Sequence, residues 1–190
     1  MLTSIILKFF VPGYGSTMDA QARIRCGIVS GITGIVCNVL LIIVKIILAI
    51  TSGSIAIAAE AVNNLSDAGS GIITVGGFHL AARPPDAEHP FGHGRTEYVA
   101  GVIVSVLVVV LGITFLKDSV IALVRPSQIN ANTVTIVVLG CTMLVKCWMF
   151  FFYSRVARLI NSSVVKAAAY DSLSDCLGTV LVVASLIVSR

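Results

Sequence analysis

Three carboxylates, Asp67, Asp171 and Asp175, lie inside apolar stretches long enough to cross a bilayer, and that placement constrains the fold more than any other feature of the chain. An ionised carboxylate at the centre of a spanning helix costs roughly 2.5–3.5 kcal/mol on insertion scales, so three cost about 8–10 kcal/mol unless something compensates. Each belongs to a pair spaced four residues apart, Asn63 with Asp67 and Asp171 with Asp175. On a helix that spacing puts both side chains on one face, with Cβ atoms roughly 5–6 Å apart, close enough to ligate one ion. Two such faces opposed across a bundle form a cage of oxygen atoms, and a cation is the leading compensation.

The background agrees with a membrane protein. Only 12% of the residues are charged, 57% are hydrophobic and the mean hydropathy is +1.01, whereas soluble chains carry about 25% charged residues. A spanning helix needs about 20 mainly apolar residues. Five segments meet that length, at 26–50, 54–80, 98–124, 131–154 and 166–189. The expected fold is an all-α polytopic membrane helix bundle, with residues 1–190 as one transmembrane domain. Thr51, Ser52 and Gly53 read as a tight turn, Arg83–Glu97 as the longest polar connection, and Arg125–Asn130 and Arg155–Ser163 as short ones. The apolar run from Met1 to Phe10 has no small-residue cleavage site after it, so it reads as an amphipathic lead-in at the membrane surface.

Basic residues orient the bundle. With the N-terminus cytoplasmic, Lys8, Arg23, Arg25, Arg83, Arg95, Arg155, Arg158 and Lys166 fall inside, and Arg125 and Arg190 fall outside. The net charge of +4 is divided among short loops and gives no indication of nucleic acid. The five cysteines, Cys26, Cys37, Cys141, Cys147 and Cys176, lie in apolar segments without a CxxC pair and read as small packing residues. Gly27, Gly31 and Gly34, and then Gly69, Gly71, Gly76 and Gly77, mark where two helices can cross closely.

Two apolar stretches, SGSIAIAAEAVNNLSDAGSG and KAAAYDSLSDCLGT, and the loop PPDAEHPFGHGRTEY between the second and third segments occur in an order that resembles the cation diffusion facilitator family of divalent metal/proton antiporters. The resemblance runs from about Gln21 onward. It implies a tetrahedral transport site of Asn63, Asp67, Asp171 and Asp175. Zinc-transporting members usually have a histidine in this set, whereas here every position offers oxygen, which suits harder ions. Manganese is the first expectation for the transported ion, iron(II) the second, with zinc or cobalt behind. The resemblance also implies a sixth spanning helix, a cytoplasmic metal-binding domain and a homodimer. With five spans and no such domain, the chain reads as truncated.

A second constellation lies in the loop. Asp86, His89 and His93 supply one carboxylate and two imidazoles over eight residues, which can converge on a cation and match the family's loop metal site. The alternative is that the histidines only cap or hydrogen-bond the loop. Arg95 stands where the family has a charge interlock at its dimer interface. His79 reads as an interfacial histidine and Glu60 as a polar neighbour of the outer vestibule. Lys45 and Asn38 read as packing or hydrogen-bond partners.

Without a metal the three carboxylates repel one another and protons can take its place. Metal entering from the cytoplasm then displaces protons, and protons from outside displace metal as helices rock. Two other readings stay open: a pure proton relay, and a bundle in which Lys45 or Lys146 bridges helices and no ion crosses. Asn63 alone could be interhelical glue. Neither HExxH nor GxSxG is present, so no enzyme activity is expected. The expected location is a bacterial plasma membrane, with lipid, metal and protons as partners.

Overall fold

The computed structural model describes residues 2–11, 19–52, 55–124 and 133–188. Six helices account for nearly all of them: α1 Leu2–Phe10, α2 Ala20–Ser52, α3 Ile55–Ala81, α4 Thr96–Val124, α5 Thr133–Ile160 and α6 Ser163–Val188. The all-α bundle is therefore present, but the expectation of five spans needs correction. Among the described residues three helical segments are long and apolar enough to cross a membrane: Ala20–Thr51, Thr96–Thr114 and Ile136–Ile160. α3 and α6 are not among them over their described residues. Glu60, Asn63, Asn64, Ser66, Asp67 and Ser70 dilute α3, and Lys166, Asp171, Ser172, Ser174 and Asp175 dilute α6.

Helix ends also shift from expectation. Thr51 and Ser52 continue α2 and do not turn, while Gly53, Arg125 to Asn130 and Arg190 fall outside the described residues. Arg155 and Arg158 belong to α5, which runs on to Ile160. It stops because Asn161 adopts a left-handed conformation (φ 49°), a role asparagine tolerates, and Ser162 N–H then reaches back to Ala157 O at 3.1 Å. The break is only two residues long, so α5 and α6 form a tight antiparallel hairpin. α2 starts where Asp19 Oδ1 accepts the Ala22 N–H at 2.6 Å, an N-cap that satisfies one of the free donors of the first turn.

α2 packs most extensively on α3 and α5 on α6; α4 lies against both α3 and α6, and α2 also meets α5. The α2–α3 crossing is close because glycines face each other. A Cβ on Gly31 would stand 2.6 Å from Val75 Cγ2 and 3.3 Å from Gly71 O, so only glycine fits without moving a backbone. Gly69 and Gly76 meet nothing within 4 Å, so only part of the expected small-residue face is used.

The main core joins Leu7, Val11, Cys26, Phe78, Met149, Phe152, Tyr153, Val156 and Val165. It gathers at one end of the bundle, where α2 and α6 begin and α3 and α5 finish. Beside it, the half-exposed Arg23 grips the buried Glu97 through two contacts of 2.9 and 2.8 Å and donates from Nε to Ile160 O at 2.9 Å. One guanidinium thus ties the starts of α2 and α4 to the end of α5. α1 inserts Leu7 into this core and leaves Phe9 and Phe10 exposed.

Candidate metal site

α3 and α6 face each other with their four-residue pairs inward. Asp67, Asp171 and Asp175 each bring a carboxylate oxygen to within 4.8 Å of the others. Asp67 is buried, while Asp171 and Asp175 are half-buried. Asn63 joins them by donating from Nδ2 to Asp175 Oδ1 at 3.1 Å. All four residues singled out in the sequence therefore converge. Helical periodicity explains the arrangement within each pair, and the placement of α3 against α6 explains the meeting of the two pairs.

A fifth residue completes the cluster. Lys146, from α5, donates to Asp67 Oδ2 and to Asp175 Oδ2, both at 2.6 Å. Its side chain is 5% exposed and those of its partners 3% and 11%, so both ion pairs are withheld from water. Lys45, the other lysine weighed as a bridge, goes elsewhere: its Nζ is 3.1 Å from Glu60 Oε2, a charge pair between α2 and α3 without a well-directed hydrogen bond. Sequence reasoning had Lys146 only as an alternative partner. The available signal was its position near the middle of a long apolar helix, where an ammonium needs an acid.

Next to the cluster is a cavity of about 10 Å3, room for about one water. Asn38, Asp67, Ser70, Thr74, Asp171 and Ser172 supply its polar wall. Two acceptors there, Asp67 Oδ1 and Asn38 Oδ1, are buried without a hydrogen-bond partner. Buried polar atoms are almost always paired, so the Asp67 oxygen beside this cavity is open to a water or a cation. On the far side of Lys146 and Asp175, Cys147 Sγ and Cys176 Sγ approach to 2.9 Å as a thiol pair, and Cys176 also bonds Met143 O at 3.5 Å. This agrees with their reading as packing residues.

The loop residues converge as well. Asp86 Oδ1 accepts the backbone N–H groups of Glu88 and His89 at 3.1 and 2.7 Å, and Gly92, at φ 80°, turns the chain so that its N–H bonds His89 O at 2.9 Å. His89 Nδ1 and His93 Nε2 then lie 3.3 and 3.4 Å from the Asp86 carboxylate. The His89 backbone N–H, above all, holds the Asp86 carboxyl below its ordinary value, against the opposing effect of desolvation and with the help of the two imidazoles. His93 Nδ1 is buried without a partner. One carboxylate and two imidazole nitrogens are thus available to a cation, and the same contacts also stabilise the loop without one. Arg95 and His79 are exposed. Glu97, which was read only as the end of the loop, is the buried partner of Arg23; no sequence signal distinguished it from Glu88.

Known proteins give an independent comparison. The cation efflux transmembrane domain family matches residues 31–190. An uncharacterised transporter of Methanocaldococcus jannaschii is 30% identical over 159 residues, covering 84% of this chain and 56% of that protein. Manganese efflux system protein MneS of Bacillus subtilis is 26% identical over 122 residues, 64% of this chain and 42% of its own length. Magnetosome protein MamM of Paramagnetospirillum magneticum is 29% identical over 153 residues, 79% of this chain and 48% of its own. The chain spans about half the length of these curated relatives.

Proposed function

The chain belongs to the cation efflux family, a family of transporters and not of enzymes, and on that premise we propose that it moves a divalent cation, manganese first, across a membrane in exchange for protons. The observation that carries this reading is the meeting of Asn63, Asp67, Asp171 and Asp175 on two facing helices, with Asp67 Oδ1 buried and without a partner. Three carboxylates and an amide suit hard ions such as manganese better than soft ones. The manganese efflux names carried by MneS and MneP of Bacillus subtilis support the same choice, with iron(II) and zinc next.

Proton coupling rests on the aspartates, because Asn63 does not titrate. Each carboxylate can hold either a share of the metal or a proton, so metal arriving from one side releases protons and protons arriving from the other release metal. Exchange then requires the site to open to the two sides in turn. Arg23, Arg83, Arg95, Arg155, Arg158 and Lys166 all lie at or near the bundle end that holds the Arg23–Glu97 contact; by the positive-inside rule that end, and the N-terminus with it, is cytoplasmic. Asp86, His89 and His93 form a second, regulatory or structural metal site in the cytoplasmic loop. The full-length protein acts as a homodimer in a bacterial plasma membrane.

One observation favours a competing reading. Lys146 already pairs with two of the carboxylates, as it would in a bundle held together by buried ion pairs and carrying no ion. Uptake into proteoliposomes under a pH gradient decides between them, with manganese, iron(II), zinc and cadmium compared. Manganese uptake that consumes the gradient is the expected result. Absence of flux for all four ions would leave the structural bundle as the reading.

A further inference from the structure

We propose that Lys146 is a tethered competitor for the transported ion, a built-in cation that occupies the empty site and must leave it before metal can bind. The proposal deepens the transport reading above and rests on it.

Lys146 lies near the middle of the apolar segment Ile136–Ile160. From there its side chain cannot snorkel to water, since the hydrocarbon core extends about 15 Å on either side of the midplane. Its ammonium therefore takes the acids the bundle supplies, Asp67 from α3 and Asp175 from α6, at 2.6 Å each. Those Oδ2 atoms belong to two of the three carboxylates whose oxygens gather within 4.8 Å of one another. A divalent ion such as zinc stands about 2.0–2.2 Å from carboxylate oxygens. An ion on both Oδ2 atoms would then lie almost where Nζ lies, and two cations cannot share that position. Metal binding at the cluster is thus an exchange of one cation for another.

The same charge serves transport. When the ion departs, the ammonium returns to the same oxygens and prevents immediate recapture. The cavity beside Asp67 and Asp171 carries a further acceptor without a partner, Asn38 Oδ1. A lysine that only held helices together would act in the opposite sense: removing it would loosen the cluster and weaken metal binding.

The test is calorimetric titration of manganese into the purified protein in nanodiscs, comparing the unsubstituted protein with Lys146→Met, Lys146→Gln, Lys146→Arg and Asp67→Ala, with flux measured in parallel. Lys146→Met and Lys146→Gln should each lower Kd by roughly tenfold or more, about 1.4 kcal/mol. KM and maximal flux should fall together because release slows, whereas Lys146→Arg stays near the starting affinity. Unchanged or weaker binding in both neutral variants, with binding lost in Asp67→Ala, overturns this proposal and leaves the site intact. Manganese binding unchanged in Asp67→Ala overturns the site itself. A manganese-bound structure of the unsubstituted protein needs no variant at all: Nζ should have left both carboxylates, and an ion at the cluster with Nζ still paired to both refutes the exchange.

Discussion

Asp67→Ala should separate stability from metal binding. The substitution removes one of the two carboxylates that hold the Lys146 ammonium, in a pair 2.6 Å long whose side chains are 5% and 3% exposed. A hydrogen bond to a charged group contributes about 1.5–3 kcal/mol. Asp175 still holds the ammonium at 2.6 Å, so the charge is not orphaned and the loss stays near 2 kcal/mol, below the roughly 3–5 kcal/mol of a fully broken buried pair. For a chain of this size that is about 4–8 °C in Tm, readable by intrinsic fluorescence in detergent because Trp148 stacks on Phe152 in the core, with ring centroids 5.4 Å apart. Adding Lys146→Met removes the partly stranded ammonium. The double variant should then regain stability relative to the sum of the single changes, with a coupling of about 1–3 kcal/mol. Manganese flux should be abolished in Asp67→Ala and should stay abolished in the double variant, because the lost ligand is not replaced. Strict additivity of the two melting shifts would refute the ion pair, and near-normal flux in Asp67→Ala would refute the ligand role.

Three further outcomes are expected. Asp171→His should raise zinc transport relative to manganese in a competition assay, since imidazole suits the softer ion; an unchanged preference would mean that groups beyond the direct ligands set selectivity. The double variant His89→Ala, His93→Ala should keep the affinity of the bundle cluster for manganese and lose only part of the flux, and total loss of manganese binding by calorimetry would show the loop to be the principal site. Gly31→Val should separate α2 from α3, because the new side chain meets Val75 and the Gly71 carbonyl at 2.6–3.3 Å; overpacking of this kind costs about 1–3 kcal/mol, and a variant that melts with the unsubstituted protein would refute the close crossing.

Much of the site was legible because it depends on short spacings. Asn63 and Asp67 share a helix face at any position α3 adopts, and so do Asp171 and Asp175 on α6. Asp86, His89 and His93 lie within one loop, where an Asx turn and the left-handed Gly92 curl them together. Arg23–Glu97 was not legible, and Lys146 stood only as one of two candidate bridges beside Lys45, because these contacts join residues 74, 79 and 29 apart on different helices. The number of apolar spans was also misjudged. Length admitted α3 and α6, but among the described residues only segments of α2, α4 and α5 are long and apolar enough to cross a membrane.

The sequence by itself determined the helical character of the chain, its integral membrane setting and the pairing of oxygen-bearing side chains on one helix face, because the 3.6-residue period and side-chain hydrophobicity are local properties that no neighbour is needed to express. Only the tertiary structure decided that the two pairs face each other, that Asp67 and Asn38 are left with unpartnered oxygens, and that a lysine from a third helix occupies the space among the carboxylates. Those facts depend on how close the helices approach and on their rotation about their own axes. Both are set by packing, such as the glycine contact of α2 with α3 and the two-residue hairpin between α5 and α6, and a few ångströms there decide whether two charges meet.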